Sequence, residues 1–276
     1  MRATGPLPYA QMLAMLGGAA PARAELPTYK VQYGSREQDF AVVHPAAGSA
    51  PLLLLHQAGG HTPSTEHIAF AIQREGSFTV LNLEWQEDED GRSIWEFDVG
   101  QIEEAIAYVR LHAAELNVDP SRLAMLGGSR GANLSLLTSL EENAAAPGTV
   151  KAVVDLSGDA DPAKQIERAR NGELSKTVAR KLSNVYGCEP VLKSCPMAYI
   201  ERWSPIAQAS TSAPAMFLAA SEAEKLTASL ADEYELRERL DELGVPAEVF
   251  APEKGHGFSY WKSTRPGAMA FLAAHA

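Results

Sequence analysis

Gly127-Gly128-Ser129-Arg130-Gly131 is the stretch that decides the fold, because it joins a predicted strand to a predicted helix. Residues 122–126 before it form a short apolar run, and residues 132–140 after it carry apolar side chains at helical spacing. A glycine-x-serine-x-glycine pattern at such a junction is typical of the nucleophile elbow, a tight turn that lifts a serine hydroxyl above the sheet edge. The flanking glycines are needed because a Cβ there would collide with the neighbouring strand and helix.

Strand-like and helix-like segments alternate on both sides of this stretch. The predicted strands are 29–33, 39–43, 52–55, 78–83, 122–126, 150–155, 215–219 and 247–250, the first two as an antiparallel pair. The predicted helices are 101–116, 132–140, 162–182, about 224–243, and a last one that follows Pro266. Such alternation indicates an α/β fold with a mainly parallel sheet covered on both faces. Ligands bind such sheets beyond the carboxyl ends of the strands.

The length and composition favour one large domain after the first 24 residues. The chain has 276 residues, of which 46% are hydrophobic, and we interpret 25–276 as a single domain. The connection between the strands near 155 and 215 is much longer than an ordinary one. We expect an excursion over about 160–212 to lie above Ser129 and to wall its pocket, with Trp203 and Tyr199 as candidate substrate-binding residues. The alternative for both aromatic side chains is a place in the core.

The charge balance argues against two classes of partner. With 24 basic and 35 acidic residues, the formal net charge is −11, which repels nucleic-acid phosphates and anionic lipid headgroups. The sequence has no fixed-period repeat and no apolar run long enough to span a bilayer. We therefore expect a small-molecule substrate rather than nucleic acid or a membrane, while the sequence leaves the oligomeric state open.

The N-terminal segment and the cysteines bear on the cellular compartment. A mildly apolar stretch, 9–16, is followed by Ala22-Arg23-Ala24, which fits the small-x-small pattern of a signal-cleavage site. A flexible or helical N-terminus is the alternative, because Gln11 interrupts the apolar stretch. Cys188 and Cys195 are the only cysteines, and a disulfide between them favours a secreted or periplasmic protein. Two reduced thiols in a cytoplasmic enzyme are the alternative.

Four short motifs give the chain a resemblance to a known superfamily. They are His56-Gln-Ala-Gly-Gly60, Gly127-Gly-Ser-Arg-Gly131, Trp203-Ser-Pro-Ile206 and Gly255-His-Gly-Phe258. From about Leu26 to the C-terminus, their order resembles the α/β-hydrolase fold, and within it small serine esterases of the dienelactone-hydrolase and feruloyl-esterase-like kind. The resemblance implies hydrolysis of a carboxylic ester through an acyl-enzyme intermediate, with no metal or organic cofactor.

His256 is the candidate base for Ser129. A serine hydroxyl is a weak nucleophile at neutral pH, so a base must take its proton during attack. His256 follows the last predicted strand in a loop with glycine on either side, which allows the imidazole to reach the elbow. The chain order serine, acid, histidine is also the order that the resembling fold uses.

The oxyanion formed during attack needs hydrogen-bond donors that are already in place. We predict one donor at the backbone N–H of Arg130, where free amides and the helix dipole favour negative charge. The second is expected after strand 52–55, from Gln57 or Ala58. The resembling enzymes often carry His-Gly-Gly-Gly there, whereas this chain reads His56-Gln-Ala-Gly-Gly60, so the choice between the two stays open.

The acid of the triad has three candidates. The resembling enzymes carry an aspartate two or three residues past the seventh predicted strand, but this chain reads Ala219-Ala-Ser-Glu-Ala-Glu-Lys225. Direct register places Ala223 at the expected position, and one residue of loop difference would bring Glu224 there. We predict Glu224 as the acid, with Glu222 and Asp159 as alternatives. A further interpretation makes both glutamates solvated residues in the first turn of the next helix.

Arg130 breaks a local rule, because a cation in the first turn of a helix opposes the helix dipole. Three explanations stand side by side. The guanidinium meets a substrate carboxylate, it fixes a neighbouring acid such as Glu84, or it reaches solvent on its long side chain.

The sequence alone leaves two alternatives to the esterase function. Peptidases of the prolyl-oligopeptidase kind share the Gly-Gly-Ser-x-Gly and His-Gly-Phe patterns that this chain has around Ser129 and His256. A non-catalytic hydrolase-fold binding protein is suggested by the missing aspartate, since a triad without an acid loses part of its activity. The presence or absence of a carboxylate beside His256 therefore separates these functions in part.

Overall fold

The protein is described here by a computed structural model that covers residues 26–46, 49–55, 62–76, 78–86, 95–188, 195–224 and 228–276, except the side chains of residues 95, 181, 184 and 185. Within these residues, eight strands form one sheet in the order β1-β2-β4-β3-β5-β6-β7-β8. The strands are β1 (Tyr29–Gln32), β2 (Phe40–His44), β3 (Ala50–Leu55), β4 (Phe78–Leu83), β5 (Ala124–Gly128), β6 (Ala152–Leu156), β7 (Ala215–Ala219) and β8 (Ala247–Phe250). Strand β2 runs antiparallel to both neighbours, and all other adjacent pairs are parallel. The predicted α/β class and the antiparallel opening pair are confirmed.

Helices connect the strands and cover the sheet. They are α1 (Thr62–Glu75), α2 (Trp95–Leu111), α3 (Ala113–Leu116), α4 (Arg130–Ala145), α5 (Pro162–Arg170), α6 (Lys176–Tyr186), α7 (Met197–Arg202), α8 (Pro205–Gln208), α9 (Leu230–Glu242) and α10 (Trp261–His275), with 3-10 turns at Pro120–Arg122 and Gly257–Tyr260. Within the described part of the chain, no helix combines the length and the apolar character needed to cross a bilayer.

The two faces of the sheet build two apolar clusters. Because successive side chains of a strand point to opposite faces, Leu53 and Leu55 join one cluster, while Leu52 and Leu54 join the other. The first cluster lies under α2, α4, α9 and the excursion between β6 and β7, and the second lies under α1 and α10. Central strand β5 is covered on both faces, so its carboxyl end is held rigidly where the elbow begins.

All five helical predictions differ from the structure in their boundaries: the helix predicted over 101–116 begins at Trp95 and divides into α2 and α3, and α4 extends beyond the predicted 132–140 at both ends. The segment 162–182 forms two helices, because Gly172 takes a left-handed φ of 75° between them. The helix predicted from about 224 begins only at Leu230, since residues 221–224 form a turn instead. The last helix begins at Trp261 and contains Pro266, because the buried side chains of its first turn pack on the sheet ahead of the proline.

The excursion between β6 and β7 carries α5 to α8 and shares the core of the main sheet. Ile166, Leu182 and Ile200 from three of its helices are fully buried in the cluster that also contains β5 and α4 side chains. Cys188 and Cys195 form the disulfide predicted from their spacing. The described helices of the excursion are therefore packed onto the domain, and a disulfide joins the residue after α6 to the segment before α7.

Candidate active site

The elbow holds Ser129 in a backbone conformation that few side chains adopt. Its φ is 52° and its ψ is −119°, and its N–H donates to the carbonyl of Leu156 on the neighbouring strand at 2.8 Å. A Cβ added at Gly127 would overlap the backbone of Gly131, which explains the glycines on both sides of the serine. The strain is retained because these contacts leave the turn no other shape, and it presents the hydroxyl beyond the strand end.

The start of α4 leaves backbone donors beside the hydroxyl. The amides of Ala132 and Asn133 donate to the carbonyl of Ser129 at 3.0 and 3.1 Å. The amides of Arg130 and Gly131 come earlier in the helix, where an N–H has no acceptor within the helix itself. The positive end of the helix dipole adds to these donors, so the position favours a developing negative charge.

His256 reaches the elbow from the loop after β8. Its Nε2 lies 2.7 Å from Ser129 Oγ. Gly255 and Gly257 on either side take φ values of 113° and 53°, a region that favours glycine, so the loop can turn the imidazole toward the serine. Phe258 packs so closely on Gly128 that an added Cβ would lie 2.7 Å from the ring, which fixes the loop against the elbow.

Glu224 lies on the other side of the imidazole. Its Oε2 is 2.6 Å from His256 Nδ1, and the side chain of the glutamate is only 4% exposed. An ionised carboxylate can only accept, so Nδ1 carries the proton and Nε2 accepts from the Ser129 hydroxyl. The three groups thus form one line of hydrogen bonds from acid to nucleophile.

A turn led by Ser221 explains why Glu224, and not residue 223, faces the histidine. The Ser221 carbonyl accepts the Glu224 N–H at 2.9 Å, and its hydroxyl accepts the Ala223 N–H at 3.1 Å. Serine commonly caps its own backbone in this way, and the resulting turn adds the residue of offset between the strand end and the acid.

The structure brings neither alternative acid to His256. Glu222 is exposed beside the same turn. Asp159 is buried, accepting the Tyr186 hydroxyl and, at 3.2 Å, the N–H of Asp161. Burial raises the pKa of Asp159 to about 8, against the partly opposing hydrogen bond from Tyr186. A carboxyl group that holds its proton at neutral pH is unsuited to orient a histidine that becomes charged.

Arg130 does not reach solvent. Its guanidinium is buried, pairs with Asp98 in the first turn of α2, and lies over the Trp85 ring at 5.6 Å from the centroid. The pair joins the N-terminal turns of α2 and α4, and the carboxylate offsets the cost of a cation at a helix N-terminus. Asp98 could not be identified from the sequence, because its only local signal is an acid in the first turn of a helix.

The two residues expected to line the pocket differ in burial. Trp203 was expected to line the pocket, but it is 1% exposed and belongs to the core, so it forms no open pocket wall. The helical turn that precedes it buries the indole against the excursion. Tyr199 is half-buried, and its hydroxyl lies 3.4 Å from a carboxylate oxygen of Glu96. The expected oxyanion donors Gln57 and Ala58 lie outside the described residues.

A mostly parallel sheet with a strained serine at the carboxyl end of a central strand defines the α/β-hydrolase class. The sequence model of the BD-FAE family matches residues 57–239, about two thirds of the chain, and the chain belongs to this family of α/β-hydrolase-like esterases. The matched region includes Ser129 and Glu224 and ends before His256. The protein is therefore a carboxylic ester hydrolase, as the sequence predicted.

Solved structures of other esterases share the fold. A bacterial heroin esterase has a TM-score of 0.71 at 21% identity, covering 96% of this chain and 87% of its own. Esterase 2 of Thermogutta terrifontis, with propionate bound, has a TM-score of 0.65 at 19% identity, covering 90% and 94%. An acetyl ester-xyloside bifunctional hydrolase from Caldicellulosiruptor lactoaceticus has a TM-score of 0.64 at 16% identity, covering 92% and 96%. Among curated proteins, none matches the sequence significantly.

Proposed function

We propose that Ser129, His256 and Glu224 are the catalytic triad with which this esterase cleaves short acyl esters. One observation carries the proposal: the imidazole of His256 is bonded at 2.7 Å to the serine hydroxyl and at 2.6 Å to a shielded carboxylate. This geometry supplies a nucleophile, a base and an orienting acid in the order that acyl transfer needs. It also removes the reason to consider a non-catalytic binding protein, which was the missing acid.

The reaction follows from the tautomer that the hydrogen bonds select. Ser129 Oγ attacks the ester carbonyl carbon while its proton passes to His256 Nε2, and the charge of the resulting imidazolium is balanced by Glu224. The tetrahedral intermediate collapses when Nε2 returns the proton to the leaving alcohol oxygen, which leaves an acyl group on Ser129. Water then attacks the acyl-enzyme by the same route, releasing the acid and restoring the serine.

Arg130 contributes to this reaction through its backbone. Its N–H stands at the start of α4, next to the nucleophile and outside the helical hydrogen-bond ladder. We assign it as one donor of the oxyanion hole. The second donor in the proposal is the N–H of Gln57 or Ala58, in the loop that follows β3, the strand beside β5. Such donors stabilise the oxyanion and thereby supply a large share of the rate enhancement in acyl transfer.

The choice of short acyl groups draws on the structural relatives. One relative was solved with propionate bound, and another is named for its action on an acetyl ester. An ester is favoured over an amide as the substrate because the chain belongs to an esterase family.

The compartment is a separate proposal. The disulfide between Cys188 and Cys195 supports an oxidising compartment, secreted or periplasmic, since such bonds are rare in the cytoplasm. The Ala22-Arg23-Ala24 pattern in the sequence supports the same compartment through a cleaved signal. N-terminal sequencing of the mature protein would test this: a first residue at Glu25 supports export, and an intact Met1 in a cytoplasmic fraction opposes it.

Hydrolysis of p-nitrophenyl acetate tests the proposed function. Ser129→Ala and His256→Ala should each lower kcat by about 10⁵-fold or more, with thermal unfolding close to that of the wild type. A p-nitroanilide with the same acyl group should be cleaved far more slowly. Residual turnover in Ser129→Ala near the wild-type level would contradict the assignment of the nucleophile, and faster anilide cleavage would favour a peptidase.

A further inference from the structure

One dipeptide at the end of β6 is bonded to every segment that carries a triad member. The carbonyl of Leu156 accepts the N–H of Ser129 at 2.8 Å. The N–H of Ser157 donates at 2.7 Å to the carbonyl of Ala219, the last residue of β7 before the Glu224 turn. The Ser157 hydroxyl accepts at 3.0 Å from the N–H of Gly257, the residue after His256.

Tyr260 completes this arrangement, and the directions of its hydrogen bonds are fixed by chemistry. Its hydroxyl lies 2.7 Å from the carbonyl of Ala219 and 2.7 Å from Ser157 Oγ. A carbonyl only accepts, so the tyrosine proton goes to Ala219 and the serine proton goes to the tyrosine oxygen. Ser157 Oγ is then left to accept from Gly257, whose N–H only donates. The chain of bonds runs one way, from the histidine loop to the strand that leads to the acid.

The backbone conformation of Ser157 indicates that its hydroxyl explains why a serine occupies this position. Its φ is 64°, a value that glycine adopts without strain and that side chains rarely take. The residue is also fully buried, so its hydroxyl has no role toward solvent. A glycine at position 157 would adopt the same turn with less backbone strain. It would, however, leave the Gly257 N–H without its buried acceptor.

We propose that Ser157 is a positioning residue, whose hydroxyl holds the histidine loop at the distance and angle at which His256 bridges Ser129 and Glu224. The inference rests on the proposed triad and adds a residue that acts through it. Ser157 touches no reacting atom. It ties the loop after β8 to the ends of β6 and β7, so that the three triad members keep their spacing as the imidazole accepts and returns a proton.

Paired substitutions separate the hydroxyl from the backbone. Ser157→Ala and Ser157→Gly both remove the hydroxyl, but only the glycine relieves the strained φ. In both variants, kcat for p-nitrophenyl acetate should fall about 10- to 100-fold with KM nearly unchanged, as expected from small misplacement of a base. The rates are expressed per active site, counted by fluorophosphonate titration, so that a misfolded fraction does not lower the value. Ser139→Ala is the matched control, because that buried hydroxyl bonds only within its own helix, to Leu136.

Tyr260→Phe keeps the test informative if the Ser157 variants fold poorly. It removes the acceptor for the serine proton while leaving the Gly257 contact, so kcat should fall by a smaller factor. Tyr260→Phe combined with Ser157→Ala should fall no further than Ser157→Ala alone, since the residues share one network.

Three results would overturn the proposal. They are a wild-type kcat per titrated site in both Ser157 variants, a loss in the alanine variant that the glycine variant does not show, and an unchanged kcat in Tyr260→Phe where the Ser157 variants cannot be purified. A wild-type protein that neither turns over the ester nor binds the fluorophosphonate would instead remove the proposed triad, and this inference with it.

Discussion

The turn after β6 and the turn after β7 lie side by side at the carboxyl edge of the sheet, and both carry carboxyl groups shielded from solvent. After β7, Glu224 accepts the Nδ1–H of His256 at 2.6 Å. Asp155, within the last residues of β6, accepts the N–H of Gly158 at 2.6 Å, and Asp159, in the turn that follows, accepts the hydroxyl of Tyr186. The first carboxyl group faces a group that becomes charged during turnover, whereas the other two face neutral donors.

Burial changes the pKa of the carboxyl groups at the end of β6. Burial raises the pKa of Asp159 to about 8, and it raises that of Asp155 as well, next to Glu233 on α9. Glu233 is buried too, and its pKa is raised by burial and by the nearby Asp155. Asp159, whose raised pKa lies above neutral pH, holds its proton there and cannot balance an imidazolium. Being buried at a strand end does not make a carboxyl group catalytic, because an ionised group must face the ring.

Replacing the acid at each turn gives the largest expected contrast. Glu224→Gln keeps the shape of the side chain but removes its charge and replaces one acceptor oxygen with an NH2 donor, so the Nδ1–H tautomer of His256 is no longer selected. We expect kcat for p-nitrophenyl acetate to fall roughly 10³- to 10⁴-fold, because the orienting acid supplies that share of the rate in serine hydrolases. Steady-state kinetics on purified variants measures the loss.

Two matched variants serve as controls for the Glu224→Gln substitution. Glu222→Gln changes an exposed glutamate in the same turn, and Asp159→Asn mimics the protonated acid of the other turn. Each should change kcat by less than about 3-fold, a shift typical of surface or isosteric changes. A loss in either variant as large as that in Glu224→Gln would mean that the acid has been assigned to the wrong residue.

The buried acid should instead control how stability depends on pH. The pKa of Asp159 in the folded protein is raised from 3.8 to about 8, so its stabilising contribution is complete below pH 3.8 and is lost as pH rises through 8. In the wild type this group lowers the free energy of unfolding by about 1.4 kcal/mol per pH unit across the window. Asp159→Asn cannot lose the proton, so its curve should be flatter.

Urea unfolding at pH 5, 6, 7 and 8 measures the comparison. The difference in unfolding free energy between Asp159→Asn and the wild type should grow in favour of the variant as pH rises. Asp155 and Glu233 are present in both proteins, so burial of these two groups contributes to both curves. Curves that stay parallel from pH 5 to 8 would show that Asp159 is ionised throughout.

A smaller effect is expected from the disulfide, which follows the helix that carries Tyr186. The bond between Cys188 and Cys195 closes a loop with a sequence separation of 7. Its removal in Cys188→Ser/Cys195→Ser should lower the free energy of unfolding by about 2.5 kcal/mol in the chain-entropy model. Because Cys188 follows α6, the helix whose Tyr186 bonds to Asp159, kcat per titrated site should be unchanged. A loss of kcat equal to that of an acid variant would tie the loop to the Glu224 turn.

Much of the fold could be predicted because local patterns and packing agree. The boundaries of β4, β7 and β8 were predicted correctly, since each is an apolar run that ends where the chain becomes polar or turns. The helix that contains Pro266 was misplaced because packing on the sheet overrides the preference of proline for a helix start. Tertiary contacts of this kind leave no mark in the local sequence.

The candidate site likewise contains residues that could be predicted from the sequence and residues that could not. Ser129 and His256 stand in short motifs with flanking glycines, so their pairing could be predicted. The register of Glu224 could not be fixed, because it depends on hydrogen bonds that Ser221 makes within its turn. The partnership of Ser157 with Tyr260 joins residues 103 positions apart, so spacing along the chain could not reveal it.

The most direct measurement is the site and rate of fluorophosphonate attachment, followed by intact mass and peptide mapping. We expect one adduct per chain, on Ser129, formed rapidly by the wild type, much more slowly by Glu224→Gln, and not at all by Ser129→Ala. The folded wild type remaining unlabelled, or labelled at another residue whose modification abolishes ester hydrolysis, would contradict this expectation.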